Sequence, residues 1–283
     1  MPISEKDNIY KITMKRDVLC LMMAYPEHIK DVVKNDDERV YLVLKSGNKI
    51  LYDDMRNKSG AEKLSNPDLQ DMMEQIYPLT PVKNLLKGDF DPGRSRVYSL
   101  FSEVYGSSRK DIENKLVNSN FSNCRFNSSN SAVESLNSAM KELILLSKGN
   151  AKIGSCIFPV SGTYNYRLIA GTNQLSPHSY GIAIDLSVNK MDYWKWATRA
   201  EGDKRINNYP SEIAEVFEKN NFIWGGKWAH FDIMHFEYRP EIILKARYFK
   251  DEPTMGKEWY EGVSLEDDYI KNSIEKINQT LKR

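Results

Sequence analysis

Apolar residues recur with helical spacing in several parts of the chain. The pattern predicts a helix over residues 9–33, interrupted at Pro26, and an amphipathic helix that begins with a capping box formed by Ser131 and Glu134. A final amphipathic segment covers residues 269–281. These apolar stripes indicate helices that bury one face against a core.

Other segments alternate apolar and polar residues, which is typical of short strands with one buried face. Residues 40–44 and 50–52 predict a hairpin, and residues 182–187 and 231–238 alternate in the same way. The sequence therefore predicts an α+β fold. We expect a small antiparallel sheet with flanking helices in the C-terminal half and a mostly helical N-terminal accessory region.

A stretch rich in Asn and Ser, residues 118–130, is typical of a loop and suggests a boundary. We predict three parts: an N-terminal accessory region of residues 1–120, a central domain of residues 121–250 and a C-terminal helical extension of residues 251–283.

Composition limits the class of protein without selecting it. With 40 Lys and Arg against 39 Asp and Glu, the net charge of +1 predicts no nucleic-acid partner. No stretch approaches the ~20 apolar residues of a membrane span, so we expect no integral membrane segment. The cysteines, Cys20, Cys124 and Cys156, lack metal-ligand spacing and are expected to be buried free thiols.

Candidate chemistry lies in the two alternating segments of the C-terminal half. Only four His residues occur in the chain, and two of them, His178 and His235, accompany these segments together with Asp185 and Asp232. Two imidazoles and one carboxylate can share a metal, with the remaining carboxylate nearby. Three protein ligands and one open position are how a hydrolytic zinc site is built.

Strand geometry predicts how these residues meet. Asp185 is expected to point towards a cleft, and Gly181 to leave room there for a metal and a substrate. Asp232 and His235 are three residues apart and would face opposite ways in a regular strand, so a turn or bulge must separate them. Glu237 shares a face with His235 and either orients it or competes with Asp232 as the base.

The two motifs together resemble a known family. They are Ser176-x-His178-x-x-Gly181-x-Ala183-x-Asp185 and Asp232-x-x-His235-Phe236-Glu237. This pattern resembles the M15 zinc peptidases, which include D-alanyl-D-alanine carboxypeptidases and L-alanyl-D-glutamate endopeptidases and share a fold with Hedgehog-like signalling domains. The resemblance implies Zn²⁺ held in a cleft by His178, Asp185 and His235, and catalysis by Asp232.

Further site residues are implied by the same resemblance. Arg167 stands where the family places an arginine thought to hold the substrate carbonyl, a task suited to a permanently charged guanidinium. The candidates for substrate binding are Ser176, Tyr166, Trp224, Trp228 and His230. A serine hydrolase built on Ser176 is disfavoured, because the chain has no Gly-x-Ser-x-Gly elbow.

The resemblance implies a zinc metallopeptidase whose substrate is the stem peptide of bacterial peptidoglycan. Asp rather than Glu at position 232 favours the L-Ala–D-Glu endopeptidase type. The alternatives are a D,D- or L,D-carboxypeptidase that removes terminal D-Ala, and a zinc-binding module without catalysis. A wall substrate predicts a secreted or wall-associated protein, or a cytoplasmic endolysin released on lysis.

Overall fold

The computed structural model describes residues 5–254 and 256–282. In chain order the helices are α1 (Glu5–Ala24), α2 (Gly60–Ser65), α3 (Leu69–Met73), α4 (Tyr98–Tyr105), α5 (Arg109–Lys115), α6 (Ala132–Gly149), α7 (Ala151–Ile157), α8 (Arg199–Asn207), α9 (Ser211–Lys219), α10 (Pro240–Tyr248) and α11 (Asp268–Thr280). The strands are β1 (Ile29–Lys34), β2 (Val40–Leu44), β3 (Lys49–Leu51), β4 (Leu116–Asn118), β5 (Arg125–Asn127), β6 (Ala183–Asp185), β7 (Phe222–Trp224) and β8 (His235–Tyr238). The α+β class is confirmed.

The chain divides into two compact units. The first unit takes its described residues from Met1–Tyr77, Arg94–Leu100 and Glu241–Arg283, and the second from Pro78–Gly93 and Phe101–Pro240. These division points differ from the predicted boundaries after residues 120 and 250, which stay a prediction. None of the helices in the described ranges is long and apolar enough to cross a membrane.

The first unit contains a three-stranded antiparallel sheet in the order β1-β2-β3. The predicted hairpin is confirmed as β2 and β3. The predicted helix over residues 9–33 is wrong beyond Ala24, because residues 29–34 form β1 instead. Their β-branched Ile29, Val32 and Val33 suit a pleated edge, and pairing with β2 supplies the backbone partners that a helix would have supplied.

A buried charge network ties the ends of the first unit together. The carboxylate of Asp17 in α1 lies 2.6 Å from the Lys245 ammonium in α10 and accepts a hydrogen bond from Tyr52. The Lys245 ammonium also donates to the carbonyl of Met73. Each buried charge therefore has a partner, as burial in a core requires.

The second unit is built on the antiparallel sheet β6-β8-β7, with β8 in the centre. One face of this sheet is aromatic: Phe236 of β8 stacks on Phe217 of α9 at 4.1 Å between ring centroids. Because side chains alternate along a strand, His235 and Glu237 project from the opposite face. The core thus occupies one side of the sheet and the polar residues the other.

The start of α6 differs from the predicted capping box. Ser131 has a left-handed backbone with φ of 58° and makes no side-chain cap to the helix. The prediction of a box with Glu134 is therefore wrong, although the helix and its buried stripe of Val133, Leu136 and Met140 are confirmed. A cap needs an extended backbone at the first residue, which the left-handed turn does not provide.

Gly181 is required by close packing within the protein rather than by space for a ligand. Its φ is +67°, and a Cβ atom there would lie 2.4 Å from the Leu116 side chain and 3.2 Å from the Asn127 amide nitrogen. Its carbonyl accepts a hydrogen bond from that amide at 2.8 Å. The buried Asn127 side chain in turn donates to the carbonyls of Tyr105 and Tyr180.

We predict that Gly181→Ala destabilises the protein more than Gly171→Ala. Both glycines have positive φ, where alanine costs about 1–2 kcal/mol, but a Cβ at Gly171 meets nothing within 4 Å. The overpacking at Gly181 should add about 1–3 kcal/mol. Urea denaturation of the two variants measures the difference, and equal midpoints would show that the packing argument is wrong.

Candidate metal centre

The two motifs meet because β6 pairs with β8. Asp185, the last residue of β6, lies directly opposite His235, the first residue of β8. Opposed residues in an antiparallel pair project from one face with their Cβ atoms about 5 Å apart. The pairing therefore places the Asp185 carboxylate beside the His235 imidazole.

His178 reaches the same point from a short 3-10 turn, Pro177–Tyr180, ahead of β6. Ser176 caps this turn by accepting a hydrogen bond from the His178 amide at 3.3 Å. The ring nitrogen Nδ1 of His178 lies 2.5 Å from the carbonyl oxygen of Thr163. A carbonyl only accepts, so Nδ1 carries the proton and Nε2 keeps the lone pair that a metal needs.

Three ligand atoms converge on the polar face of the sheet. Asp185 Oδ1 lies 3.2 Å from His178 Nε2 and 2.9 Å from His235 Nδ1, and the two nitrogens are 3.2 Å apart. Two imidazole nitrogens and a carboxylate oxygen within such a span fit a zinc ion. The His178 side chain is 5% exposed and that of Asp185 is 22% exposed, so the centre faces solvent on the Asp185 side.

The ionisation of these groups is strongly coupled. Burial raises the pKa of Asp185, but the neighbouring His178 and His235 imidazoles outweigh it and hold that pKa well below its usual value. Burial lowers the pKa of His235, but hydrogen bonds with Asp185 and Glu237 raise it to about 10. Metal binding at His235 would therefore compete with protonation of its ring.

Asp232 lies before β8, as predicted, in a turn that leads directly into His235. Its carbonyl accepts a hydrogen bond from the His235 amide at 3.1 Å, and its amide donates to Gly225 at 2.9 Å. A Cβ atom at Gly225 would lie 2.5 Å from the Asp232 carbonyl, so only glycine permits this approach. The negative charge of the Asp232 carboxylate also raises the pKa of His235.

Behind His235 lies a buried pair of charges on the same strand face. Glu237 Oε2 is 3.7 Å from His235 Nε2, and Glu237 Oε1 is 3.3 Å from the guanidinium of Arg239. Both side chains are fully buried, and Arg239 also donates to the carbonyl of Gly93. This arrangement fits the predicted orienting role of Glu237 and leaves Asp232 as the more exposed carboxylate beside the centre.

Arg167 and Tyr166 lie on the loop next to the His178 turn. The Arg167 amide donates to the hydroxyl of Ser179, which donates back to the Arg167 carbonyl at 2.7 Å. The Arg167 side chain is exposed. The Tyr166 ring lies beneath the guanidinium of Arg109, 5.3 Å from the ring centroid. Substrate contacts by Arg167 and Tyr166 stay predictions.

The other predicted substrate contacts have different surroundings. Trp224 pairs with Phe236 and therefore projects from the core face, opposite to His235, so the structure does not bring it to the centre. Trp228 is buried, with its ring centroid 5.7 Å from that of His235. The Nδ1 atom of His230 lies 2.6 Å from Oδ2 of Asp91.

Several residues that shape the centre were not singled out by sequence reasoning. Arg239 continues the spacing of His235 and Glu237 by two residues, so strand periodicity would have placed it on the same face. Thr163 acts through its backbone carbonyl, which no residue type reveals. Tyr193 forms an isolated bridge with Asp232, and its distance along the chain gives no local signal.

Comparison with known proteins agrees with this geometry. The sequence model of the D-alanyl-D-alanine carboxypeptidase family matches residues 170–238, a segment that contains His178, Asp185, Asp232 and His235. Arg167 lies just outside it. The predicted resemblance to the M15 peptidase family is thus confirmed over this segment.

A particular relative is the peptidoglycan L-alanyl-D-glutamate endopeptidase CwlK of Bacillus subtilis (strain 168). It is 29% identical over 98 residues, which cover 34% of this chain and 52% of the relative. The chain thus spans about half the length of the curated relative that it matches. No solved structure gives a significant match.

We predict that His178→Ala abolishes high-affinity zinc binding. One of three ligand atoms is lost, and two remaining ligands make a poor site. His28→Ala, the same change in the first unit, should leave zinc binding unchanged. Competition with a chromophoric chelator measures both affinities, and tight binding by His178→Ala would contradict the assigned ligand set.

We predict that Glu237→Gln weakens zinc binding about 10- to 100-fold, because an amide orients the His235 ring less firmly than a carboxylate. Glu218→Gln is a matched control, since Glu218 is also buried in this unit and pairs with Lys227 at 2.7 Å. The control should lower thermal stability without changing zinc affinity. Equal zinc affinities of the two variants would rule out the orienting role.

Proposed function

We propose that this protein is a zinc metallopeptidase that hydrolyses stem peptides of bacterial peptidoglycan. The observation that carries the proposal is the convergence of His178, Asp185 and His235 within one centre. Asp232 lies in the turn that leads directly into His235. The match to M15 peptidases over the same segment supports the class of reaction.

In this proposal His178, Asp185 and His235 would hold the zinc ion. When bound, zinc supplies Lewis acidity that polarises a carbonyl group and lowers the pKa of water to about 7. Asp232 accepts the proton of the attacking water and donates it to the amine that leaves. Arg167, on the loop bonded to the His178 turn, donates hydrogen bonds to the carbonyl oxygen as negative charge develops there.

The bond that we propose is the internal L-Ala–D-Glu linkage, because the named relative is an endopeptidase of that type. The matching family is described as a D-alanyl-D-alanine carboxypeptidase, and this description favours terminal D-Ala as the second candidate. Mass analysis of digested muropeptides separates the two. Loss of only D-alanine would exclude the endopeptidase. Zinc binding without any cleavage would support a non-catalytic module instead.

We predict that Asp232→Asn keeps zinc but lowers turnover by about 10²- to 10⁴-fold, because a general base is lost while the three ligands remain. Asp203→Asn is the matched control: its side-chain oxygen accepts the Leu85 amide hydrogen, a role that an asparagine oxygen can keep. Kinetics on a stem peptide and metal analysis of each variant test the prediction. Full activity in Asp232→Asn would remove it from the mechanism.

A wall substrate lies outside the cytoplasmic membrane, so the enzyme must act there. We propose a secreted or wall-associated location, or release of a cytoplasmic endolysin on lysis. Immunodetection in the medium and wall fraction of intact cells distinguishes the two routes.

A further inference from the structure

A short segment, residues 192–196, runs antiparallel to the segment that carries Asp232. The Ile233 amide donates to the Asp192 carbonyl at 2.7 Å, and the Trp194 amide donates to the Phe231 carbonyl at 3.0 Å. Between these bonds Tyr193 stands directly opposite Asp232. This is the non-hydrogen-bonded type of pair, in which opposed side chains approach most closely. Tyr193 therefore lies beside the proposed catalytic carboxylate.

Trp196, three residues after Tyr193, extends this surface outwards. A turn closed by the Trp196 amide and the Tyr193 carbonyl, at 2.8 Å, brings the Trp196 ring edge-on to the Tyr193 ring with centroids 5.2 Å apart. Trp196 is 58% exposed, unlike Trp224 and Trp228, which are buried. Its indole thus presents an apolar face to solvent two side chains away from Asp232. We call Tyr193 and Trp196 the aromatic platform.

The aromatic platform is held in place by a buried anchor. Asp192 is fully buried, lies 2.6 Å from the Arg205 guanidinium and accepts the Asn189 amide hydrogen at 2.8 Å. A surface tryptophan held on such a support is already in position for a ligand, which lowers the entropy lost on binding. An exposed apolar patch beside a reactive centre is typical of a ligand-binding groove.

We propose that the aromatic platform binds the amino sugar that carries the stem peptide. The Trp196 indole lies against the C–H face of the sugar ring. This proposal rests on the proposed function. A pyranose ring has an apolar face of C–H groups and a polar rim, and indole offers an apolar face of matching size with its polar N–H at the edge.

The position of the platform also bears on which bond is cut. In peptidoglycan the sugar is joined to the amino group of L-Ala, so the L-Ala–D-Glu bond lies one residue from the sugar, and the terminal D-Ala bond lies several residues further on. An extended peptide spans about 3.5 Å per residue. When the L-Ala–D-Glu bond lies at Asp232, the sugar is therefore close enough to reach Trp196, whereas with the terminal D-Ala bond at Asp232 the sugar lies too far away. A sugar on Trp196 therefore selects the internal bond.

The test compares two substrates of the zinc-loaded full chain. One is the disaccharide N-acetylglucosamine–N-acetylmuramic acid that carries the stem tripeptide, and the other is the same tripeptide with an N-acetyl group on L-Ala. We expect kcat/KM to be about tenfold higher for the sugar-linked substrate, and Trp196→Ala to bring the ratio of the two values close to one. Trp196→Phe should keep part of the preference. Leu145→Ala, a change at a residue of equal 58% exposure on α6, should leave the ratio unchanged.

The outcomes separate this proposal from the proposed function. If the wild-type chain cleaves both substrates at L-Ala–D-Glu with equal kcat/KM, the sugar site is overturned and the peptidase stands. If Trp196→Ala lowers both kcat/KM values by the same factor, the indole binds peptide and the sugar assignment is overturned. Cleavage of neither substrate by the wild-type chain overturns the L-Ala–D-Glu endopeptidase, and the sugar site with it.

Discussion

The candidate centre depends on the register between β6 and β8. Asp185 faces His235 only in this register, and a slip of one residue would turn one set of side chains to the other face of the sheet. The register is enforced from the opposite side, where Phe236 packs against the aromatic core under α9. Burial of the apolar face thus positions the polar face.

Charges alternate in sign through the centre and the strand behind it. The Asp185 carboxylate lies between two imidazoles, and the Glu237 carboxylate lies between His235 and Arg239. The Arg239 guanidinium also packs on the Phe101 ring at 5.1 Å. Buried ion pairs add little net stability after desolvation. Full burial of Glu237 and Arg239 beside a candidate ligand is therefore better explained by orientation of His235 than by stability.

Sequence patterns predicted the parts of the molecule that depend on local spacing. The motif around His178 and Asp185, the strands β2, β3, β6 and β8, and the buried stripe of α6 follow from periodicity and residue type. Patterns failed where long-range pairing decides: β1 forms a strand because β2 is beside it, and Trp224 lies on the core face because of its register with β8. Gly181 is a second example, because a Cβ atom there would clash with Leu116, which is distant in the sequence.

The spacing between Asp232 and His235 shows how local and distant constraints combine. In a regular strand residues three apart face opposite sides, so both side chains reach one centre only if the backbone turns between them. The structure makes this turn with the bond from the His235 amide to the Asp232 carbonyl. Gly225 admits the turn because it has no Cβ, and pairing with Tyr193 holds it from the other side. Gly225 and Tyr193 are far apart in the sequence, but both hold the Asp232 turn outside the regular sheet.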